Sequence, residues 1–336
     1  MRGSYVLRRL GVAAATIIAI VLFNFVLFRL MPGSPERILL HGIPNVSAER
    51  LEAIRTRWGL NDPLLPIVID ETGVHLTAEN QFFKYLAATA QGDLGLSFVA
   101  RGQEVSSVLG QRVGPTLLLF GVGEAIAIVL GLALGAYSGW RSGGPIDYLG
   151  NGVSLILYAT PYFLLGMMLL LLGAAVGLPT FGMTTAGGVF PDVWAWLKDF
   201  GAHFLLPLAT VSLGLVGQYA IVMRSSIVET LSEDYVTTAR AMGIRDGRIL
   251  RSHALPNALL PTVSLVAINL GYVIAGAVTV EVVFNWPGLG TLTVSALEAR
   301  DYPVLQGVFL LLSITVVVAN LIADVVYGLL DPRVRT

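Results

Sequence analysis

Few residues in this sequence could do chemistry, and the most exposed to question stand inside apolar runs. Glu124 lies well within the run at residues 116–137. An isolated charge inside a membrane helix costs roughly 2.5–3.5 kcal/mol on insertion scales, so by default it faces water, a pathway or a partner. A cationic ammonium group would pair with it; a structural hydrogen bond is the competing use. Arg29, Glu281 and Asp324 stand near the ends of such runs, where side chains can reach the interface. Glu281 precedes Phe284-Asn285-Trp286-Pro287-Gly288. Glu124, Glu281 and Trp286 are therefore the candidates for lining or gating a pathway.

No catalytic residue emerges. The apolar runs hold no nucleophile motif, no clustered histidines and no carboxylates paired at catalytic spacing. His41, His75, His203 and His253 are far apart, without metal-ligand spacing, so no metal site is expected. The absence of cysteine excludes disulfides and thiolate chemistry. The two lysines, Lys84 and Lys198, do not follow a glycine, as the lysine of a phosphate-cradling loop must. The chain thus carries no P-loop of its own, and no bound cofactor is expected.

The elements that position these residues are membrane helices. Of 336 residues, 55% are hydrophobic and 13% charged. Soluble domains carry about 25% charge, so lipid must cover much of this surface. A net charge of −1 gives no electrostatic argument for nucleic acid. A bilayer core of roughly 30 Å takes about 20 apolar residues to cross. Six stretches qualify, at residues 10–30, 116–137, 153–178, 204–223, 259–284 and 308–330. The expected fold is an all-α integral membrane protein of about six transmembrane helices. Its first run reads as an uncleaved anchor, because Met31-Pro32-Gly33-Ser34-Pro35 follows it and no small-x-small cleavage site does.

With six spans both termini share a face, and that face collects 11 arginines, while the short loops opposite hold only Lys198 and Arg300. Positive residues mark the cytoplasmic side. Both termini and the loop at about 224–260 are then cytoplasmic, and the long loop after the first run faces outward. The chain divides into an anchor at 1–31, an extracytoplasmic region at 32–113, a membrane domain at 114–330 and a tail at 331–336. Within the outer region, helices are expected from Ser47 to Gly59, at 81–90 and at 104–113. They read as a packed cap, which could also serve as a docking surface.

The cytoplasmic stretch at 232–261 is the most informative. Ser232 suits a helix N-cap, and Glu233 and Asp234 then sit where the helix dipole favours negative charge. Arg240 falls in the last turn, and Gly243 suits the residue after the cap. Tyr235, Ala239 and Met242 make an apolar stripe at helical spacing. A second short helix is expected from about 246 to 253, stopping before Pro256 and carrying Arg248. Such a loop could rest on lipid headgroups or dock into a groove on a soluble partner.

The frame Thr237-Thr238-Ala239, Gly243, His253-Ala254-Leu255-Pro256 resembles the EAA loop in permease subunits of bacterial binding-protein-dependent ABC importers. The final Ala, the Gly and the Leu-Pro are kept; Thr237, Thr238 and His253 replace the motif's Glu, Ala and Ile. Other landmarks are similar to the dipeptide, oligopeptide and nickel branch. These include Met31-Pro32-Gly33-Ser34-Pro35, Trp58-Gly59-Leu60-Asn61-Asp62-Pro63, Gly92-Asp93-Leu94-Gly95, Phe284-Asn285-Trp286-Pro287-Gly288-Leu289-Gly290, Arg300-Asp301-Tyr302-Pro303 and Asp331-Pro332-Arg333. They run in order along nearly the whole chain. Residues 67–80 depart as extra polar length.

The resemblance implies a non-catalytic subunit of a heteromeric importer in the bacterial cytoplasmic membrane. A second permease would pair with it, and two cytoplasmic ATPases, which bind ATP and Mg, would dock on the coupling loops. An extracytoplasmic solute-binding protein would deliver cargo. The implied docking residues are Glu233, Asp234, Tyr235, Thr238, Ala239, Arg240, Met242, Gly243 and Arg248. Peptides are the implied cargo; a nickel chelate or an oligosaccharide fits the same family, and a secondary carrier is the alternative outside it.

Overall fold

The computed structural model describes residues 3–30, 52, 61–64, 67–70, 73–77, 79–100, 103–272 and 277–330. It is helical apart from one short hairpin. Helix α1 is Gly3–Leu30, and the hairpin pairs β1, Ile67–Asp70, with β2, Gly73–Leu76. Then come α2 at Gln81–Ala90, α3 at Val105–Trp140, α4 at Pro145–Ala159 and α5 at Tyr162–Ala175. Helix α6 is Val193–Leu231, α7 is Asp234–Ala241 and α8 is Asp246–Ile249. The chain ends with α9 at Leu255–Tyr272, α10 at Ala277–Val283, α11 at Leu289–Glu298 and α12 at Tyr302–Leu330. The hairpin falls on the polar stretch at 67–80, so the expectation of helices alone needs that correction. The helix expected between Ser47 and Gly59 lies outside the described residues, save for Glu52.

Four helices are long and apolar enough to cross a membrane by length and composition, namely Leu7–Arg29, Val105–Trp140, Val193–Leu231 and Tyr302–Ile322. The run at 153–178 is not one straight span. It belongs to α4 and α5, which meet at 103°, and counted as one broken span they make a fifth. The break falls at Thr160-Pro161, where proline disfavours helical backbone in the residue before it. The run at 259–284 corresponds to α9 and α10; residues 273–276 between them are outside the described set. Helix α3 begins at Val105 and passes through Pro115, so the separate helix expected at 104–113 is its first turns.

The chain groups into two compact units. The first is built on Val113–Thr291. Its centre is α6, 39 residues and about 58 Å long. Helix α3 presents Gly123, Ala127, Gly131, Gly135 and Gly139 at four-residue spacing, which places them on one face. A Cβ at Gly123 would lie 2.5 Å from Val211 Cγ1, and one at Gly131 would lie 2.5 Å from Tyr219 Cβ. At Gly139 it would lie 2.8 Å from the Arg224 carbonyl oxygen. The two backbones are too close for any side chain between them. Lipid offers no hydrophobic drive for helix association, so small residues that allow such contact are the usual solution. On another side of α6, Gly217 meets α4, where its Cβ would lie 2.8 Å from the Tyr158 nitrogen. Ala254, just before α9, and Ala258 on α9 pack on Met223 and Ile227.

The second unit is built on Gly11–Arg112 and Leu292–Ile314. The α2 helix starts where expected, with Asn80 accepting the Phe83 N–H at 2.8 Å. Phe82 and Tyr85 pack on buried Phe25, with ring centroids 5.3 and 5.4 Å away. Asn24 donates to the Gln306 carbonyl at 3.1 Å. Asp301 takes the Ser97 hydroxyl at 2.5 Å and the N–H groups of Phe98 and Val99, each at 3.1 Å. Described residues between 80 and 100 thus pack on α1 and the start of α12. Outside the spans, Asp62 holds the Lys84 ammonium above its usual range by a hydrogen bond.

The α3–α6 contact makes a direct prediction. Gly131→Leu should prevent the helices from closing, at the roughly 1–3 kcal/mol or more of overpacking. The thermal unfolding midpoint of the subunit in detergent should fall clearly, while Gly152→Leu, where no atom would lie within 4 Å, should move it far less.

Candidate functional site

Helix α6 runs to Leu231, and Ser232 caps its C-terminus rather than opening the next helix. The Ser232 hydroxyl donates to the Glu229 carbonyl at 2.6 Å. Only Ser232 and Glu233 separate α6 from α7, and Glu233 makes no side-chain cap bond. At its other end α7 closes as expected. Gly243 has φ +75°, its N–H bonds the Arg240 carbonyl at 2.9 Å, and the Ile244 N–H bonds the Ala239 carbonyl at 3.2 Å. This pair of bonds needs a left-handed residue between helix and loop, which glycine adopts without a Cβ penalty. Ile244 then packs on the cluster of Val236, Ala239 and Ile249.

The apolar stripe divides. Ala239 is buried with Val236, which the stripe did not include, while Tyr235 is 41% and Met242 68% exposed. Glu233, Asp234, Thr238, Arg240 and Arg248 are exposed as well. Arg240 and Asp246 approach at 3.9 Å with both side chains largely in solvent, an ion pair of little energetic weight. The segment therefore has a small packed interior and an outer surface of Tyr235, Met242 and mixed charges.

The second helix does not stop before Pro256. Helix α8 passes into a π turn at Leu250–Ala254 and then directly into α9. Proline offers no N–H and crowds the carbonyl four residues back. The wider turn accommodates this, with the Leu255 N–H reaching the Leu250 carbonyl. Single π turns are rare and frequent at functional sites. Here the turn lets one helical rod run from the exposed segment into the membrane domain. Asn257 donates to the Tyr235 hydroxyl at 2.9 Å and ties α7 to α9.

The three pathway candidates are all buried. Glu281 accepts the Thr116 hydroxyl at 2.6 Å, the Gly290 N–H at 2.7 Å and the Thr291 N–H at 3.3 Å. Thr116 in turn accepts the Leu289 N–H at 2.8 Å. The carboxylate thus occupies the N-terminus of α11, where the helix dipole favours it. A Cβ at Gly288 would land on that carboxylate, and one at Gly290 would lie 2.5 Å from Val278 Cα. The Trp286 indole N–H donates to the Pro115 carbonyl at 3.0 Å. Glu281 and Trp286 therefore hold a loop folded around a buried carboxylate, and neither presents a side chain to a solute in this conformation.

Glu124 accepts the Tyr219 hydroxyl, and the Tyr219 oxygen accepts Asn269 Nδ2 at 3.0 Å. It links α3, α6 and α9 from inside. Asp147 carries a role that sequence reasoning missed. It takes Arg224 through two bonds, 2.5 Å to Nε and 2.7 Å to Nη2, and the Gly143 N–H at 2.9 Å. The clue was an acid in the first turn of α4 beside an arginine near the end of a span.

Residues 127–336 match the family described as the inner membrane component of binding-protein-dependent transport systems. The chain belongs to this family. It is 36% identical over 334 residues to a protein of Brucella suis biovar 1 that bears the name peptide permease, covering 98% of each chain. It is 34% identical over 337 residues to the glutathione transport system permease protein GsiC of Escherichia coli O6:H1, covering 99% of each. A chain of the MetNI methionine ABC transporter, in inward facing conformations, shares the fold with a TM-score of 0.55 at 18% identity. That match covers 67% of this chain and 96% of the other. The chain is thus a membrane component of an ABC importer, and the exposed segment at 232–254 falls inside the matched region. Among the described residues no three His, Asp or Glu side chains gather as metal ligands would.

The knot at Glu281 can be tested in this permease. Glu281→Ala would take the acceptor from the buried Gly290 N–H and from the part-buried Thr291 N–H, at about 1–3 kcal/mol for the buried group. The loop at 284–290 should become protease-sensitive in the purified subunit, and Gly288→Val should have the same effect by displacing the carboxylate.

Proposed function

We infer that this chain is one of two permease subunits of an ATP-driven importer for short peptides. The observation that carries the reading is the segment at 232–254, an exposed surface on a small packed interior, joined to α6 by two residues and to α9 by unbroken helix. A membrane subunit with no phosphate-binding loop needs such an element to receive force from an ATPase. Tyr235, Thr238, Met242, Arg240 and Arg248 are the contact surface, with Glu233 and Asp234 at its leading edge. Gly243 and Ala239 hold its shape. Full-length similarity to permeases named for peptides and for glutathione, itself a tripeptide, supports peptides as the cargo.

In this reading six helices or helix pairs cross the membrane, the broken α4–α5 pair and the α9–α10 pair each counting once. The arginine distribution puts both termini and the 232–254 segment in the cytoplasm. A second, similar permease completes the pathway. Two ATPase subunits bind ATP and Mg and close on the paired segments, and an extracytoplasmic binding protein supplies cargo. Closure of the ATPases moves α7 and α8, and the rods they join carry that movement to the pathway.

The test is purification of the subunit from its native membrane together with uptake by vesicles made from that membrane. A second permease, ATPase subunits and a binding protein should co-purify, and uptake of labelled dialanine or glutathione should require ATP. Recovery of the chain alone, with uptake driven by an ion gradient in ATP-free vesicles, would instead support a secondary carrier.

A further inference from the structure

The hydrogen-bond chain that starts at Glu124 has a direction, and the direction leaves two amide groups at its far end unused. The Tyr219 hydroxyl gives its proton to Glu124, so toward Asn269 it can only accept. That fixes the Asn269 NH2 on the Tyr219 side. The same NH2 gives its other proton to Gln218 Oε1 at 3.3 Å. Asn269 Oδ1 and the Gln218 NH2 remain, and among the described residues neither has a hydrogen-bond partner. Glu124 and Tyr219 are buried, whereas Gln218 and Asn269 are partly exposed.

Along α6, Gln218 lies between His203, near the outer end, and Arg224, near the inner end. Both amides therefore stand at the depth of the hydrocarbon. Unused amide donors and acceptors facing lipid would be costly, so this surface belongs on water or on a polar ligand. One acceptor beside one donor complements the N–H and C=O of a peptide group, whatever its side chains.

We propose that Gln218 and Asn269 form a solute-contacting pair on the translocation pathway that takes peptide groups of the passing cargo. Glu124, acting through Tyr219, is the positioning residue that sets the orientation of both amides. The nature of the cargo rests on the peptide reading above; the exposure of the pair to water does not.

The chain contains no cysteine, so single cysteines can be read without background from it. Gln218→Cys, Asn269→Cys and Leu171→Cys are placed in the complete importer with its ATPases, second permease and binding protein. Leu171 is an apolar residue of α5, 67% exposed, and serves as the lipid-facing control. Each is treated with a quaternary-ammonium methanethiosulfonate, nucleotide-free and trapped with ATP and vanadate. Modification at 218 and 269 is expected to be about 10-fold or more faster than at 171 in at least one state, since a fixed cation does not enter hydrocarbon readily. Equal rates in both states would overturn the proposal, placing the pair against lipid or a partner subunit.

Contact with cargo is read separately, as labelled dialanine or glutathione delivered per ATP hydrolysed. Loss of one hydrogen bond should lower this ratio about 5-fold in Gln218→Leu and in Asn269→Leu. A merely misfolded subunit would lower transport and hydrolysis together. An unchanged ratio in both variants would overturn the contact. If the unaltered importer takes up neither probe, the peptide reading fails, and the labelling rates still decide the exposure of the pair.

Discussion

Within lipid, helices gain little by hiding apolar surface from one another, and contact between backbones has to hold them together. Helix α3 supplies that contact with Gly123, Ala127, Gly131, Gly135 and Gly139, all turned toward α6. The approach is close enough to exclude a Cβ at each glycine. Other features of the first unit depend on it. Glu124 reaches Tyr219 because the two helices are this close. Gly217 on α6 accepts α4 in the same manner, and the Asp147–Arg224 pair closes the end of that contact.

A packed spine gives the exposed segment something to act on. Helix α6 enters the segment and α9 leaves it, and Met223 and Ile227 of α6 pack on Ala258 of α9 and on Ala254 just before it. The segment is therefore held at both ends by one rigid pair. Its own interior is small, built on Val236, Ala239 and Ile249. The C-terminal closure at Gly243 and the bond from Asn257 to Tyr235 fix the angle of α7. Force applied to Tyr235 and Met242 has no slack loop in which to be lost.

The parts that sequence revealed are those set by local chemistry. Apolar length marked the spans at α1, α3, α6 and α12, and Gly243 announced its left-handed turn. The helix expected at 81–90 is α2, opened by the Asn80 side chain. What stayed hidden depends on distant partners. Glu281 stands out in sequence because it precedes Phe284-Asn285-Trp286-Pro287-Gly288, but its hydrogen-bond partner Thr116 lies 165 residues away. The glycines of Trp286-Pro287-Gly288-Leu289-Gly290 formed a recognisable landmark, while the carboxylate they surround was not visible in the pattern. The run at 153–178 read as one span, and its 103° bend at Thr160-Pro161 leaves no mark on apolar length. Pro256 signalled a stop that the π turn at 250–254 avoids, and no apolar period distinguishes that turn from ordinary helix. Val236 was passed over because Tyr235 and Met242 formed a more obvious stripe; the Val236, Ala239 spacing of three residues also fits one helix face.

The central claim is that the exposed face of α7 is where the ATPases bind. It can be examined through Met242→Cys in the otherwise cysteine-free subunit, by the rate of modification with a water-soluble maleimide before and after the ATPase subunits are added to the permease pair. The account predicts fast modification of the permeases alone and strong protection once the ATPases bind. Equal rates with and without them would contradict it and leave the segment as a surface that serves some other contact.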